Sequence, residues 1–600
     1  MRVRCLLTQP LAAAVALLAA GAAAQAPQSA LRRDTPLAPF KLPLDWKHFY
    51  SYEEMVSTLK RLERSFPHLA KARVIGRSWR GNDLWLLEIG NSRTGPLSRK
   101  PAMYVDGNIH GNEIQGTEIC LYLAWLLCNS YGTDRRITEL VDTRTFYIVP
   151  SVNVDGRISF FRDPHNPHSP RGSFHPRDDD QDGLVDEDGP DDVDGDGRLL
   201  SMRKRDPFGR LKTGADRRSM VPADFGERGE WSLVGWIEGV DADGDGEVAE
   251  DPVGGVDMNR NFPAGWKPEH EQRGAGPYPF SEPEIRAVGM FLFQNRNIAA
   301  VQSFHNSGNL LLHSPGSVTD KTLPARDREV FKAIAARGEK LLPGYKAIDA
   351  AIDLYPTNGN TLDWAYFGCG ALGFTNEIWN LPGEFQGRGN GAFDEDGHAY
   401  LRFLDTIRRD SYVDWKPFRH PQFGDVELGG YDQFSLRVPP IEYLEDICQR
   451  NTQFVLFHAE STPLLRITGT RTERLSAGLW RVEAVVANTG AMDTMPEASR
   501  QTGAYRPVIA RIEVPQGVRV IQGAEKAENG PVTDLLREAR PGLRRRDDRK
   551  IDLGIVRGQS KKVVQWIVSV PDGPALSVTV RASGIKAGED SREIKVGGPN

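Results

Sequence analysis

At 600 residues the chain is too long for one ordinary hydrophobic core, so two or more domains are expected. A hydrophobic fraction of 39% beside 26% charged residues fits a soluble globular protein. The net charge of −6 is mild for this length and gives no reason to expect nucleic acid or an anionic membrane as partner.

Arg2 and Arg4 precede the apolar stretch LAAAVALLAAGAAA (11–24), which is short, alanine-rich and followed by small residues. This reads as an export signal over residues 1–24, cut after Ala24 or Ala26; an uncleaved anchor is the competing reading. No later segment is long and apolar enough to span a bilayer, so no membrane association is expected after cleavage. The mature protein is then periplasmic or extracellular. Loss of the signal removes Cys5 and leaves Cys120, Cys128, Cys369 and Cys448, too few for a disulfide scaffold. Cys120 and Cys128 fall in one predicted helix, about 12 Å apart, too far to bond to each other.

Residues 25–44 read as a linker. In SYEEMVSTLKRLERSF (51–66), Met55, Leu59, Leu62 and Phe66 share a helical face. LWLLEIG (84–90) and AMYVDGNIH (102–110) read as strands, TEICLYLAWLLCNSYG (117–132) as a buried helix, and RTFYIVPSVNVDG (144–156) as a buried strand leaving through a turn. IAAVQSFHNSG (298–308) and ALGFTNEIWN (371–380) are further strand exits. Strands alternating with helices predict an α/β domain over residues 45–460, with a mixed, largely parallel-core sheet flanked by helices. From about residue 461 the pattern changes to short alternating segments, predicting an all-β sandwich over 461–600. LREARPGLRRRDDRK (536–550) interrupts it and reads as a solvated loop.

His110, His305 and Glu377 all follow apolar runs, where functional residues gather in parallel sheets. In DGNIHGNEIQG (106–116), His110 and Glu113 reach one ion if the backbone bends, and Gly107 and Gly111 permit a bend. Catalytic zinc uses three protein ligands and keeps one position open, and His305 is a fitting third ligand. Glu377 is then available as a general base. GVDMNRNFPAGW (255–266) offers Asn259 and Arg260 together, and YPTNGNTLDW (355–364) offers a tyrosine on a glycine-bearing loop.

HGNE, PSVNVDG, GVDMNRNFP, SFHNSG, YPTNGNTLDW and FTNEI, in this order over roughly 45–410, resemble the zinc metallocarboxypeptidases of the carboxypeptidase A type. The resemblance implies zinc on His110, Glu113 and His305, with Glu377 as base. It makes Asn259 and Arg260 the clamp for a substrate's terminal carboxylate, Tyr355 a mobile cap, and Leu362 the floor of the side-chain pocket. An arginine's planar fork suits a carboxylate. Leu362 brings no charge, which favours neutral or apolar C-terminal residues. The oxyanion arginine is the hardest to place: Arg203 and Arg205 in SMRKRDP compete, and Arg203 is preferred. Asn112 stands where digestive relatives carry a second arginine. The implied partner is a peptide or protein C-terminus.

The gap between Glu113 and His305 holds an acidic insertion (165–252). Three D-x-D-x-D-G cores lie in it: Asp178/Asp180/Asp182, Asp192/Asp194/Asp196 and Asp241/Asp243/Asp245. Alternate carboxylates followed by glycine resemble calcium loops, so Ca²⁺ is a second expected ion. The twelfth position holds Gly189, Arg203 or Pro252 and never the bidentate glutamate of an EF-hand, leaving Asp186, Asp188, Glu250 or Asp251 to close the shell. A solvated acidic loop is the plainer alternative.

The leading expectation is an exported zinc carboxypeptidase. A zinc amidase or endopeptidase acting on cell-wall peptides or acylated amino acids shares the metal chemistry. A calcium-dependent binding protein on a dead catalytic fold is the rival from another class, against which Glu377 and Arg260 both stand.

Overall fold

Apolar runs too short for helices build the central sheet, seen in a computed structural model that describes residues 41–178, 183–317, 323–382, 399–526 and 547–598. The predicted export signal and nearly all of the linker lie outside these residues, as do Asp180, Asp182 and most of the 536–550 interruption. Everything below belongs to one compact unit, Leu42–Asn600. The first strands are β1 (Ala70–Arg77), β2 (Asp83–Ile89), β3 (Ala102–Gly107) and β4 (Thr145–Val149). The acidic insertion supplies β5 (Ser201–Arg205), β6 (Leu211–Thr213), β7 (Met220–Pro222) and β8 (Trp231–Gly235). Then come β9 (Ile298–Asn306), β10 (Leu310–His313), β11 (Lys346–Asp349) and β12 (Leu372–Ile378).

The eight-stranded sheet has the order β1-β2-β4-β3-β9-β12-β10-β11. Its middle, β4-β3-β9-β12, is parallel; β1 and β2 pair antiparallel with their neighbours, and β10 runs antiparallel to β12 but parallel to β11. β3, β4 and β9 are buried at every position, which is why they read as continuous apolar runs. The C-terminal ends of β3, β9 and β12 lie side by side and deliver residues 107–113, His305 and Glu377 to one edge.

Helices flank the sheet. Tyr52–Ser65 begins with a capping box between Ser51 and Glu54 and buries Met55, Leu59 and Leu62. Gln115–Ser130 is buried nearly all round. The described cysteines, two of them on that helix, are buried and free. After β4 the chain turns at Asn153 into a helix, Val154–Arg162, where the sequence predicts only a turn. From this helix Arg157 reaches the fully buried Glu118 at 2.6 Å and donates to the carbonyls of Tyr50 and Ile114. Breaking such a pair leaves an uncompensated buried charge. Glu118→Ala is expected to cost about 3–5 kcal/mol, read as a lowered urea midpoint at unchanged slope.

The insertion is more than a loop. β5, β8, β6 and β7 join β13 (Tyr412–His420) and β14 (Gly424–Tyr431) in a second sheet of order β13-β14-β5-β8-β6-β7. The last eight strands are β15 (Leu465–Ser476), β16 (Leu479–Asn488), β17 (Val508–Glu513), β18 (Arg519–Lys526), β19 (Lys550–Gly554), β20 (Ser560–Ser569), β21 (Leu576–Gly584) and β22 (Gly588–Val596). They form two four-stranded antiparallel sheets, β15-β16-β20-β18 and β19-β17-β21-β22. Alternate residues such as Val482, Ala484 and Val486 face a shared core around Trp566. Lys586 ties this domain to the central sheet, donating to the carbonyl of Ile298 at 2.5 Å. Ile298 begins β9 and His305 lies near its other end, about 23 Å along the strand. Among the described residues no helix is long and apolar enough to cross a membrane.

Candidate active site

His110 and Glu113 sit in the turn that leaves β3. The left-handed residue that makes this turn is Asn108 (φ 54°), not either glycine. Its side-chain amide donates to the carbonyls of His110 and Gly111 at 2.7 and 3.0 Å. Gly107 and Gly111 serve close approach instead: a Cβ would stand 2.5 Å from the backbone of Gly116 or Pro170.

The fold brings His110, Glu113 and His305 together, all buried, with one donor atom from each within 4.8 Å of the other two. His110 Nδ1 is 3.0 Å from Glu113 Oε1, and His305 Nδ1 is 3.1 Å from Glu113 Oε2. The two Nδ1 atoms face each other at 3.2 Å. His110 donates from Nε2 to Asp257 at 3.0 Å, which leaves its Nδ1 lone pair aimed at the cluster. His305 Nε2 is buried with no partner. Two imidazole lone pairs and a carboxylate directed at one point are reconciled by a cation, and this donor set suits zinc with an open position. Burial works to raise Glu113, but His110 and His305 outweigh it and hold its carboxyl well below the ordinary range. Asp257 is held low in the same way, burial opposed by His110, Arg260 and Arg171.

Glu377 on β12 lies opposite His305 in the register of the parallel pair. Burial pushes it up to about 7 and Glu113 adds to the push, while His305, Arg171 and Arg437 pull it back. A cavity of about 290 Å³ opens over these groups, lined also by Asn259, Arg260, Tyr355 and Leu362. Asn259 accepts from the backbone and hydroxyl of Thr361 at 2.9 Å each. Arg260 donates to the Asn259 carbonyl at 2.9 Å. Leu362 is buried on the wall, whereas Tyr355 is 53% exposed and stands at the rim.

Arg203 does not reach this cavity, which corrects its expected role. It lies on β5, donating to Glu427 at 2.6 and 2.8 Å, with its guanidinium between the rings of Trp231 and Trp415. Arg205 also stacks on Trp231. Besides Arg260, the arginines that line the cavity are Arg171 and Arg437, both missed in the sequence. Arg171 reaches Glu113 at 3.0 Å and Asp257 at 3.3 Å. Arg437 stands 4.0 Å from Glu113 and donates to the Asn306 carbonyl. Asp257 was also missed, although it sits within the quoted GVDMNRNFP.

In the insertion, Asp192 and Asp194 group with Glu238, and Asp243 groups with Asp188 and Glu250 as well as with Asp241 and Asp245. Asp196 uses its carboxylate on the backbone of Arg198, and Asp178 on that of Gly183.

A mixed sheet flanked by helices that directs two imidazoles, a carboxylate and a second acid into one arginine-lined cavity defines a site of the metallohydrolase class. Residues 55–178 and 236–385 match the zinc carboxypeptidase family, and residues 464–595 match a domain family of unknown function, DUF8731. The α/β domain of this chain belongs to the zinc carboxypeptidase family. Mouse carboxypeptidase A6 is 26% identical over 333 residues, covering 54% of this chain and 58% of its own length. Carboxypeptidase Z of Rattus norvegicus is 41% identical over 122 residues, covering 20% of this chain and 19% of its own. This chain thus spans little more than half the length of the first relative and about a fifth of the second. The crystal structure of thrombin activatable fibrinolysis inhibitor is similar at a TM-score of 0.41 and 18% identity, over 69% of this chain and 74% of that one. The crystal structure of carboxypeptidase A from Helicoverpa armigera is similar at a TM-score of 0.39 and 18% identity, over 61% and 74%.

Proposed function

We propose that this chain is a zinc carboxypeptidase that removes C-terminal residues from peptides. The observation that carries this is the sharing of one cavity by the His110–Glu113–His305 trio, Glu377 and Arg260. A zinc ion held by the trio supplies a Lewis acid that makes water a nucleophile near neutral pH. The chain's own residues do the rest. Arg260 pairs with the substrate's terminal carboxylate and Asn259 shapes the same corner, which fixes the scissile carbonyl beside the trio. Glu377 takes the proton of the attacking water on a carboxylate oxygen and hands it to the leaving amine. Arg171 replaces Arg203 in our reading as the cation that stabilises the developing oxyanion, because it lies 3.0 Å from Glu113, nearer than Arg437 at 4.0 Å. Tyr355 covers the substrate from the rim, and Leu362 gives the side-chain pocket an apolar wall that favours neutral residues.

The Arg260 assignment separates this reading from an endopeptidase, whereas a cell-wall amidase shares the free carboxylate beside the scissile bond. Peptides with a free C-terminus are expected to be cleaved and their C-terminal amides spared, as read by mass spectrometry of the products. Arg260→Ala is expected to remove about 3 kcal/mol of carboxylate recognition, a roughly 100-fold loss of kcat/KM on free peptides. Equal cleavage of amides by the unaltered protein refutes the exopeptidase reading.

A further inference from the structure

The zinc trio leaves the acidic insertion unused, and among the described residues two groups of its carboxylates each contain a buried member. In the first, Asp192 and Asp194 come from one D-x-D-x-D-G core, and Glu238 comes from beyond β8. Glu238 is fully buried. Its Oε1 accepts from the Leu200 backbone at 2.7 Å, and its Oε2 has no partner. The charges that act on it most strongly are those of Asp194, Asp192 and Asp196, all negative; burial first, and then these, push it up to about 8. In the second group, Asp188 is 1% exposed, with Oδ2 accepting from Ala242 at 2.9 Å and Oδ1 without a partner. Asp243 and Glu250 stand beside it, and Glu250 Oε2 is likewise buried and unpartnered.

Three carboxylates within 4.8 Å repel one another, and a buried carboxylate oxygen with no donor is costly. Both groups share this fault, and one kind of partner corrects it in each. We propose that the insertion binds two calcium ions, one between Asp192, Asp194 and Glu238, the other between Asp188, Asp243 and Glu250. All donors are carboxylate oxygens, the choice of a hard cation and not of zinc. The donors come from separate segments, which suits the irregular shell of calcium better than the tight octahedron of magnesium. The missing twelfth-position glutamate of the 192–196 and 241–245 loops is thereby explained. Glu238 closes the 192–196 loop from another segment, and Asp188 and Glu250 close the 241–245 loop.

The second group is tied to the segment that leads to the active site. Asp251 donates its backbone N–H to the Asp188 carbonyl at 3.2 Å, and Gly254 donates to the Asp186 side chain at 3.1 Å. The same segment runs on to Asp257, the partner of His110.

The test is a calcium count. The full chain is stripped with EGTA, titrated with calcium chloride by calorimetry, and assayed for bound calcium and zinc after dialysis. Two calcium ions per chain are expected, with Kd values below about 1 mM. Glu238→Gln and Asp194→Asn each remove or weaken at least tenfold one binding event, and Glu250→Gln and Asp243→Asn the other. Asp194 and Asp243 lie towards the surface, so their substitution does not threaten folding. The zinc count and peptidase rate, read on the same samples, keep this proposal separate from the carboxypeptidase reading. Absence of calcium heat, unchanged binding in all four variants, or equal affinity for magnesium chloride overturns it.

Discussion

Glu377→Gln is expected to lower kcat/KM on a free-C-terminus peptide by about 10³–10⁴-fold while zinc stays bound at one per chain. Glutamine keeps the size and polarity of the side chain on β12 but cannot accept the proton of the attacking water. Glu377 is the acid of the cavity left over once Glu113 is committed between two imidazoles at 3.0 and 3.1 Å. It is held by a strand whose register places it beside His305, so its position does not depend on a mobile loop. The metal trio rests on β9 and the turn after β3, and a change on β12 leaves those donors in place. The loss therefore belongs in kcat, with KM shifted only slightly, because no substrate-binding group has been removed. Retained turnover with full zinc refutes the assignment of the base. If the unaltered chain hydrolyses no peptide at any zinc level, the binding-protein reading takes its place.

The sequence showed the site's centre far better than its surroundings, and the reason is how far each contact reaches. β2, β3, β4, β9 and β12 are buried on both faces or nearly so, and such strands appear as apolar runs whatever they pair with. β1 is an edge strand of mixed exposure, AKARVIGR, and gives no such run. The strands of the insertion are three to five residues long, hidden among acids and turn residues. His110, Glu113, His305 and Glu377 were legible because each lies at the end of a buried strand or in the turn that leaves it. Arg171 was not, because a folded-back loop decides its position, pinned where Gly111 and Asn153 donate to its own carbonyl. Arg203 misled because its real partners, Trp231, Trp415 and Glu427, lie far away in sequence and reach it only through sheet pairing. Glu238 was invisible for the same reason: nothing around residue 238 shows that it faces the loop at 192–194.

His305→Ala is expected to drop bound zinc from one per chain to less than about 0.1 at micromolar total metal, and to abolish hydrolysis with it. Chelation of the unaltered protein produces the same loss, and added zinc reverses it there but not in the variant. Asp257→Asn supplies the graded comparison. Asp257 touches the cluster directly through His110 Nε2, at 3.0 Å, and indirectly through Arg171, which bridges it to Glu113, so losing its charge disturbs the orientation and basicity of ligands and removes none. Zinc affinity should then fall by about 10–100-fold, leaving activity that is recovered at high zinc. These two variants separate a metal centre from the other arrangement that fits the same distances. In that arrangement Glu113 is simply a buried acid neutralised by two charged histidines. Removing His305 then weakens the fold through an unpaired buried carboxylate, zinc content never tracks the substitution, and added zinc restores nothing to the Asp257 variant. Ordered zinc affinities, falling from the unaltered chain through Asp257→Asn to His305→Ala, follow only if the ion is what His110, Glu113 and His305 are gathered to hold.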